Sequence, residues 1–213
     1  MTIRLHGYWR STASYRVRIA LALKGVDYEQ VTHDLRTGAQ RVPAFLAINP
    51  QGLVPALETG DGEPLVQSPA ILEWLEERFP DPPLLPQDRD GRAIVRAMTG
   101  LICCDIHPPN NLRVLQSLRR DLGADEDAVT AWAQRWISEG FAALETMIAR
   151  HGGRHACGDA PTLADCCLVP QVYSAERFAV DLAPFPAIWR VAETCAAMDA
   201  FRLAHPARQP DAD

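Results

Sequence analysis

Three small hydroxyls, Ser11, Thr12 and Ser14, fall within four residues, immediately ahead of a stretch that reads as a helix closing on Gly25. A helix start presents unpaired N–H groups and partial positive charge, so hydroxyls there can cap the helix or help hold an anion. Arg10, Arg16 and Arg18 crowd the same end, where the macrodipole favours Asp or Glu instead. Positive charge at a positive helix end makes sense if the guest is anionic: a thiolate held by a hydroxyl, or a ligand with carboxylates.

Two further stretches carry related chemistry. In "NPQGLVPAL", Pro55 opens a short strand after Val54. A first strand position can spare its N–H, and a cis bond there would turn the Val54 backbone outward to pair with an extended peptide. In "LVQSPAI", Gln67-Ser68 ends a strand and opens a helix, with Ser68 as the expected N-cap and Pro69 at the first helical position. That second helix start suits a free carboxylate. Two helix N-termini and a peptide-pairing strand start describe a site for a short acidic peptide bearing a thiol.

The elements that must position these residues divide into two grammars. From residue 1 to 79, strands and helices alternate. Ile3–Tyr8 and Tyr28–His33 read as strands around a Ser14–Lys24 helix, and a short helical stretch follows at Arg41–Ala47. Asp61 between Gly60 and Gly62 joins two short apolar runs as a hairpin. A Ser68–Phe79 helix, with Ile71, Leu72, Leu75 and Phe79 on one face, closes a βαβ-ββα order. Residues 80–87, PDPPLLPQ, hold four prolines and are expected to link two domains. Beyond them only helical patterns remain, at about 88–105, 126–150, 162–179 and 185–203, so residues 88–213 are expected to form an all-α domain. Trp132, Trp136, Leu144 and Ile148 are expected on the core face of the second helix. "TLAD" at 162–165 reads as a capping box.

Composition bounds the function. The net charge of −6 over 213 residues, without a basic tract, argues against a nucleic-acid partner. No apolar run approaches a membrane span, and MTIRLHGYWR lacks a signal-peptide core, so no membrane partner and a cytoplasmic protein are expected. The six cysteines, Cys103, Cys104, Cys157, Cys166, Cys167 and Cys195, include no C-x-x-C pair. They read as reduced core thiols, with no metal site expected.

Set against known families, the stretch Ser11-Thr12-Ala13-Ser14-Tyr15-Arg16-Val17-Arg18-Ile19-Ala20-Leu21-Ala22-Leu23-Lys24-Gly25 resembles the opening S-S-C-x-W-R-V-R-I-A-L-A-L-K-G of zeta-class glutathione transferases. The likeness runs through "QSPAILEWLEE", "LLPQD", "CDIHPPNNLRVL", "GDAPTLADCCLVPQVYSAERF" and "HPARQPDAD", and so spans essentially the whole chain. It implies a thioredoxin-like α/β domain followed by a helical-bundle domain, assembled as a homodimer. It also implies glutathione as cofactor and a small dicarboxylate as substrate. Ser11, Thr12 and Ala13 would surround the glutathione thiol, Val54 the cysteinyl backbone, Gln67 and Ser68 the γ-glutamyl end, and Gln40 the glycyl end. His107, Asn111 and Arg113 match family positions facing glutathione. Arg10, Arg16 and Arg177 would grip substrate carboxylates, and Ser11, with Thr12 and Ser14 behind it, would hold the thiolate.

The implied reaction is cis–trans isomerisation of a keto-diacid, maleylacetoacetate to fumarylacetoacetate, with maleylpyruvate as the alternative substrate. A glutathione-binding transferase or carrier with little isomerase activity is the further alternative. One departure matters: the cysteine of the family motif is Ala13 here, so the resemblance leaves glutathione as the only source of sulfur at that turn.

Overall fold

The computed structural model describes residues 2–213. The described residues form two compact units, 2–83 with 196–213 and 84–195.

The first unit is built on a four-stranded sheet in the order β2-β1-β3-β4. Strand β1 (Arg4–Gly7) runs parallel to β2 (Glu29–Thr32), with Leu5 opposite Gln30. It runs antiparallel to β3 (Ala56–Glu58), with Leu5 opposite Leu57. Strand β4 (Leu65–Val66) completes the expected hairpin. The parallel β1–β2 pair needs a crossover, and helix α1 (Thr12–Leu23) supplies it. A short α2 (Pro43–Leu46) precedes the hairpin, and α3 (Ser68–Arg78) follows it. Ile71, Leu72 and Leu75 of α3 are buried with Val17 and Ile19 of α1 and with Leu5 and Leu57 of the sheet, which makes one apolar core.

The second unit opens with α4 (Arg89–Gly100), continuous with a π-helical segment, Leu101–Ile106. Then come α5 (Leu112–Leu122), α6 (Glu126–His151), α7 (Leu163–Arg177) and α8 (Pro186–Ala196). The core face of α6 carries Val129, Ala133, Ile137, Phe141, Leu144 and Ile148. Trp132 and Trp136 sit at the edge of that face instead of its centre; the Trp132 indole N–H donates to the Pro109 carbonyl at 2.9 Å. The capping box is present at α7. Asp165 is fully buried; Oδ2 accepts the Thr162 N–H at 2.7 Å and the Thr162 hydroxyl at 2.8 Å, and Oδ1 accepts the Ala156 N–H at 2.8 Å.

Three expectations need correction. Helix α5 lies outside the expected helical stretches, although Asn111 caps it and Gly123 ends it in the left-handed region at φ 66°. The chain from 196 onward belongs with the first unit, not the helical one. Its helix α9 (Asp199–Ala204) packs on α1, and the buried Arg18 fastens it, donating to the carbonyls of Ala204, Tyr8 and Trp9 at 3.0, 3.4 and 2.9 Å. Asp211 adds to the anchor by accepting the Trp9 N–H at 3.0 Å and the Gln30 side-chain amide at 3.1 Å. The proline-rich segment is also not all linker. The units divide after Pro83, Leu84 and Leu85 are buried, and the Leu84 carbonyl accepts the Leu163 N–H at 2.9 Å.

Candidate active site

The turn before α1 sorts its hydroxyls by depth. Ser11 is half-buried and adopts extended backbone as the N-cap, and its Oγ accepts the Ser14 N–H at 3.2 Å. A serine hydroxyl that accepts one bond still carries a proton to donate. Thr12 and Ser14 are 6% and 0% exposed, so the two backup hydroxyls face inward. Gly7 provides the room for Ser14, because a Cβ there would stand 3.3 Å from the Ser14 Oγ. The first turn of α1 holds no acidic side chain, and its partial positive charge is not answered from within the helix. Half-buried Arg10 lies over the Trp9 ring, its guanidinium carbon 5.4 Å from the centroid.

The second helix start differs from expectation in one detail. The N-cap of α3 is Gln67, at φ 69° and ψ 114°, and Ser68 is the first helical residue. A non-glycine residue at positive φ stores strain of order 1–3 kcal/mol, and such residues cluster at functional sites. The exposed Gln67 side chain donates to the Gln51 side chain at 2.7 Å. The Ser68 hydroxyl does no capping; it accepts from Arg16 Nη1 at 3.1 Å. Arg16 itself is 2% exposed, which places it beneath Ser68 and out of reach of a bound diacid, contrary to the role expected for it. The Val54–Pro55 bond is cis, and Val54 lies just outside the paired residues of β3. Gln40 is buried with its side-chain oxygen unpartnered. Its backbone carbonyl would stand 3.1 Å from a Cβ on Gly52, which holds φ 62°.

Among the residues assigned by resemblance, His107, Asn111, Arg113 and Arg177 lie in the second unit. His107 follows the π-helical segment, its N–H donating to the Ile102 carbonyl five residues back at 2.9 Å. Such single π turns recur at functional positions. Asn111 caps α5, its Oδ1 accepting the Arg113 N–H at 3.1 Å, and Arg113 is exposed. Arg177, in the last turn of α7, is exposed beside the Tyr173 and Phe178 rings, at 5.9 and 5.8 Å.

Two polar clusters escaped the sequence reading. His6 Nδ1 lies 2.9 Å from His33 Nε2, and His6 Nε2 lies 3.3 Å from Glu58. Partial burial, aided by the neighbouring His6, holds His33 below the ordinary histidine range. In the helical unit, the donor atoms of His155, Asp165 and Cys195 lie within 4.8 Å of one another, all buried. Asp165 there already accepts two backbone N–H groups and the Thr162 hydroxyl, and the Cys195 thiol donates to its Oδ1 at 3.8 Å. Cys195 is fully buried, and burial, then the Asp165 charge, pushes its thiol far above the usual range, which disfavours the thiolate.

The chain is similar to known proteins over nearly its whole length. Residues 10–78 match the family described as "Glutathione S-transferase, N-terminal domain", and residues 126–202 match "Glutathione S-transferase, C-terminal domain". The maleylacetoacetate isomerase of Pseudomonas aeruginosa is 54% identical over 211 residues, covering 98% of each chain. A solved holo structure of maleyl pyruvate isomerase, described as a bacterial glutathione S-transferase in the zeta class, matches with a TM-score of 0.96 at 55% identity. It covers 99% of this chain and 100% of that one. The maleylacetoacetate isomerase from Anaeromyxobacter dehalogenans, solved with dicarboxyethyl glutathione and citrate in its active site, matches with a TM-score of 0.89 at 49% identity. It covers 100% of this chain and 98% of that one. The chain therefore belongs to the glutathione S-transferase family, in its zeta class.

Proposed function

We propose that this chain is a glutathione-dependent cis–trans isomerase acting on a small keto-diacid, maleylacetoacetate or its shorter relative maleylpyruvate. The observation that carries the reading is the turn at the start of α1. It offers the half-buried Ser11 hydroxyl at an uncompensated helix N-terminus and has alanine, not cysteine, at position 13. The dicarboxyethyl glutathione in the Anaeromyxobacter relative supports it, because that compound carries two carboxylates on a glutathione-linked ethyl group.

When bound, glutathione supplies a thiolate that adds reversibly to the activated double bond, so that the bond can rotate before the double bond re-forms. The residues of the first unit fit that guest. Gln67 and Ser68 take its γ-glutamyl end, Val54 pairs with its cysteinyl backbone, and Gln40 reaches its glycyl end. His107, Asn111 and Arg113 of the second unit are assigned to glutathione by the resemblance alone. The Ser11 hydroxyl donates a hydrogen bond to the sulfur while keeping its proton, and together with the positive helix end this favours the thiolate near neutral pH. Arg10 holds a carboxylate of the substrate and stabilises the negative charge that develops on its carbonyl oxygen during addition, and the resemblance gives Arg177 of the second unit the same role. No helix among the described residues is long and apolar enough to cross a membrane. In this reading the protein works as a cytoplasmic homodimer.

The test is a cis substrate assayed with glutathione, following the trans product by NMR for wild type and Ser11→Ala. Wild type converts at least one of the two cis diacids. The variant loses one hydrogen bond to a charged acceptor, worth roughly 1.5–3 kcal/mol, or about ten- to a hundredfold in kcat, with glutathione affinity less affected. A wild type inert on both diacids would overturn the proposal. A variant at full rate would move the thiolate contact from Ser11 to the backbone amides of the turn.

A further inference from the structure

Two arginines of α1 are among the most deeply buried large side chains of the protein, at 2% and 1% exposure. Their surroundings differ. Arg18 spends its guanidinium on three backbone carbonyls and lies 5.3 Å from the Tyr15 ring centroid. Arg16 gives one donor, Nη1, to a neutral hydroxyl, that of Ser68, while Nε and Nη2 are buried without an acceptor. No carboxylate among the described residues forms an ion pair with it. A guanidinium in a low-dielectric interior with two idle donors and no counter-ion is among the costliest arrangements a fold can hold. Its one contact is also the first residue of α3, an eleven-residue helix whose first turn holds no acidic residue. Two sources of positive potential therefore meet at Ser68 with no protein anion between them.

We infer that Arg16 is a positioning residue for the γ-glutamyl carboxylate of glutathione. It occupies the accepting side of the Ser68 hydroxyl, which leaves that hydroxyl's proton to donate to the carboxylate, and it adds a fixed positive charge from beneath. The inference rests on the glutathione reading and deepens it, moving Arg16 from the substrate to the cofactor. It also explains why α1 carries Arg16 at a helix end that opposes positive charge. The ligand-free protein bears the cost, and the bound carboxylate offsets it.

A purely structural arginine predicts the opposite pattern of stability, so the two are separable. Arg16→Met, Arg16→Lys and wild type are compared in melting temperature without ligand, and in calorimetric binding of two tripeptides. One is glutathione; the other is γ-aminobutyryl-cysteinylglycine, the same peptide lacking the γ-glutamyl carboxylate. Arg16→Met is expected to melt at or above the wild-type temperature, because an apolar side chain of similar volume replaces an uncompensated charge. Its affinity for glutathione falls roughly tenfold or more, its affinity for the truncated peptide stays at the wild-type value, and kcat at saturating glutathione changes little. Arg16→Lys, a point charge without the planar fork, recovers part of the glutathione affinity.

An Arg16→Met protein that melts lower or fails to fold while Arg16→Lys binds both peptides like wild type would overturn the inference in favour of a structural role. Equal losses on both peptides would also overturn it. A wild type that binds the two peptides equally would refute the carboxylate contact at Ser68 and the role of Arg16 with it. A wild type that binds neither would refute the glutathione reading itself.

Discussion

Asp165→Ala is expected to lower the melting temperature by about 6–20 °C. The buried carboxylate accepts the N–H groups of Ala156 and Thr162 and the Thr162 hydroxyl, all at 2.7–2.8 Å. Removing it orphans three donors in the buried interior, each costing roughly 1–3 kcal/mol, or on the order of 3–5 kcal/mol in sum after partial relaxation. For a chain of this length each kcal/mol moves the midpoint by about 2–4 °C. The exposed Asp159 accepts one backbone N–H, from Arg154 at 2.9 Å, and Asp159→Ala should stay within about 1 kcal/mol of wild type. Thermal melts followed by circular dichroism compare the two. An Asp165→Ala protein melting with the Asp159→Ala protein would show that the capping carboxylate does not hold the start of α7.

Arg177→Lys is expected to separate the diacid substrate from glutathione chemistry in general. The guanidinium is exposed and rests beside two aromatic rings, so a structural role would tolerate lysine within about 0.5 kcal/mol. A clamp on a carboxylate would not, because an ammonium cannot reproduce the planar two-donor fork. Loss of a charge-assisted contact worth roughly 1.5–3 kcal/mol lowers kcat/KM for the cis diacid about ten- to a hundredfold. Conjugation of glutathione to a neutral electrophile should be nearly unchanged, because that substrate offers nothing for Arg177 to hold. Steady-state kinetics on both substrates decide the matter. Equal losses would indicate a glutathione contact or a folding defect, and no loss on either would remove Arg177 from the substrate site.

Patterns that depend on local chemistry could be read from the sequence. The βαβ-ββα order, the hairpin at Gly60-Asp61-Gly62 and the Thr162–Asp165 capping box follow from periodicity and from residues whose preferences act over a few positions. Helix α5 also carried such signals, the Asn111 cap and Gly123, but "NNLRVLQSLRRDLGAD" exposes Leu112 and Leu122 and buries only Leu115 fully, so its apolar face is thin. The long-range partners were out of reach. The crowding of Arg10, Arg16 and Arg18 pointed to anions, and one physical class concealed three fates. Arg10 stays near the surface, Arg16 goes under Ser68, and Arg18 serves the carbonyls that fasten the C-terminal segment. Backbone carbonyls leave no mark in a sequence, so the return of residues 196–213 to the first unit could not be read from composition. Depth also decided among the hydroxyls: Ser11, Thr12 and Ser14 are equivalent as letters, and only Ser11 escapes full burial.

The central claim is that the sulfur comes from glutathione and is returned after every turnover, because the turn at Ser11 holds alanine at position 13. The direct measurement supplies purified protein with a cis keto-diacid in thiol-free buffer and then adds glutathione at far below the substrate concentration, following substrate, trans product and free glutathione together by NMR. No conversion is expected before the addition; complete conversion to the trans isomer follows it, and the added glutathione is fully recovered at the end. Conversion in the absence of glutathione, or consumption of one glutathione for each molecule of substrate lost, would contradict that claim.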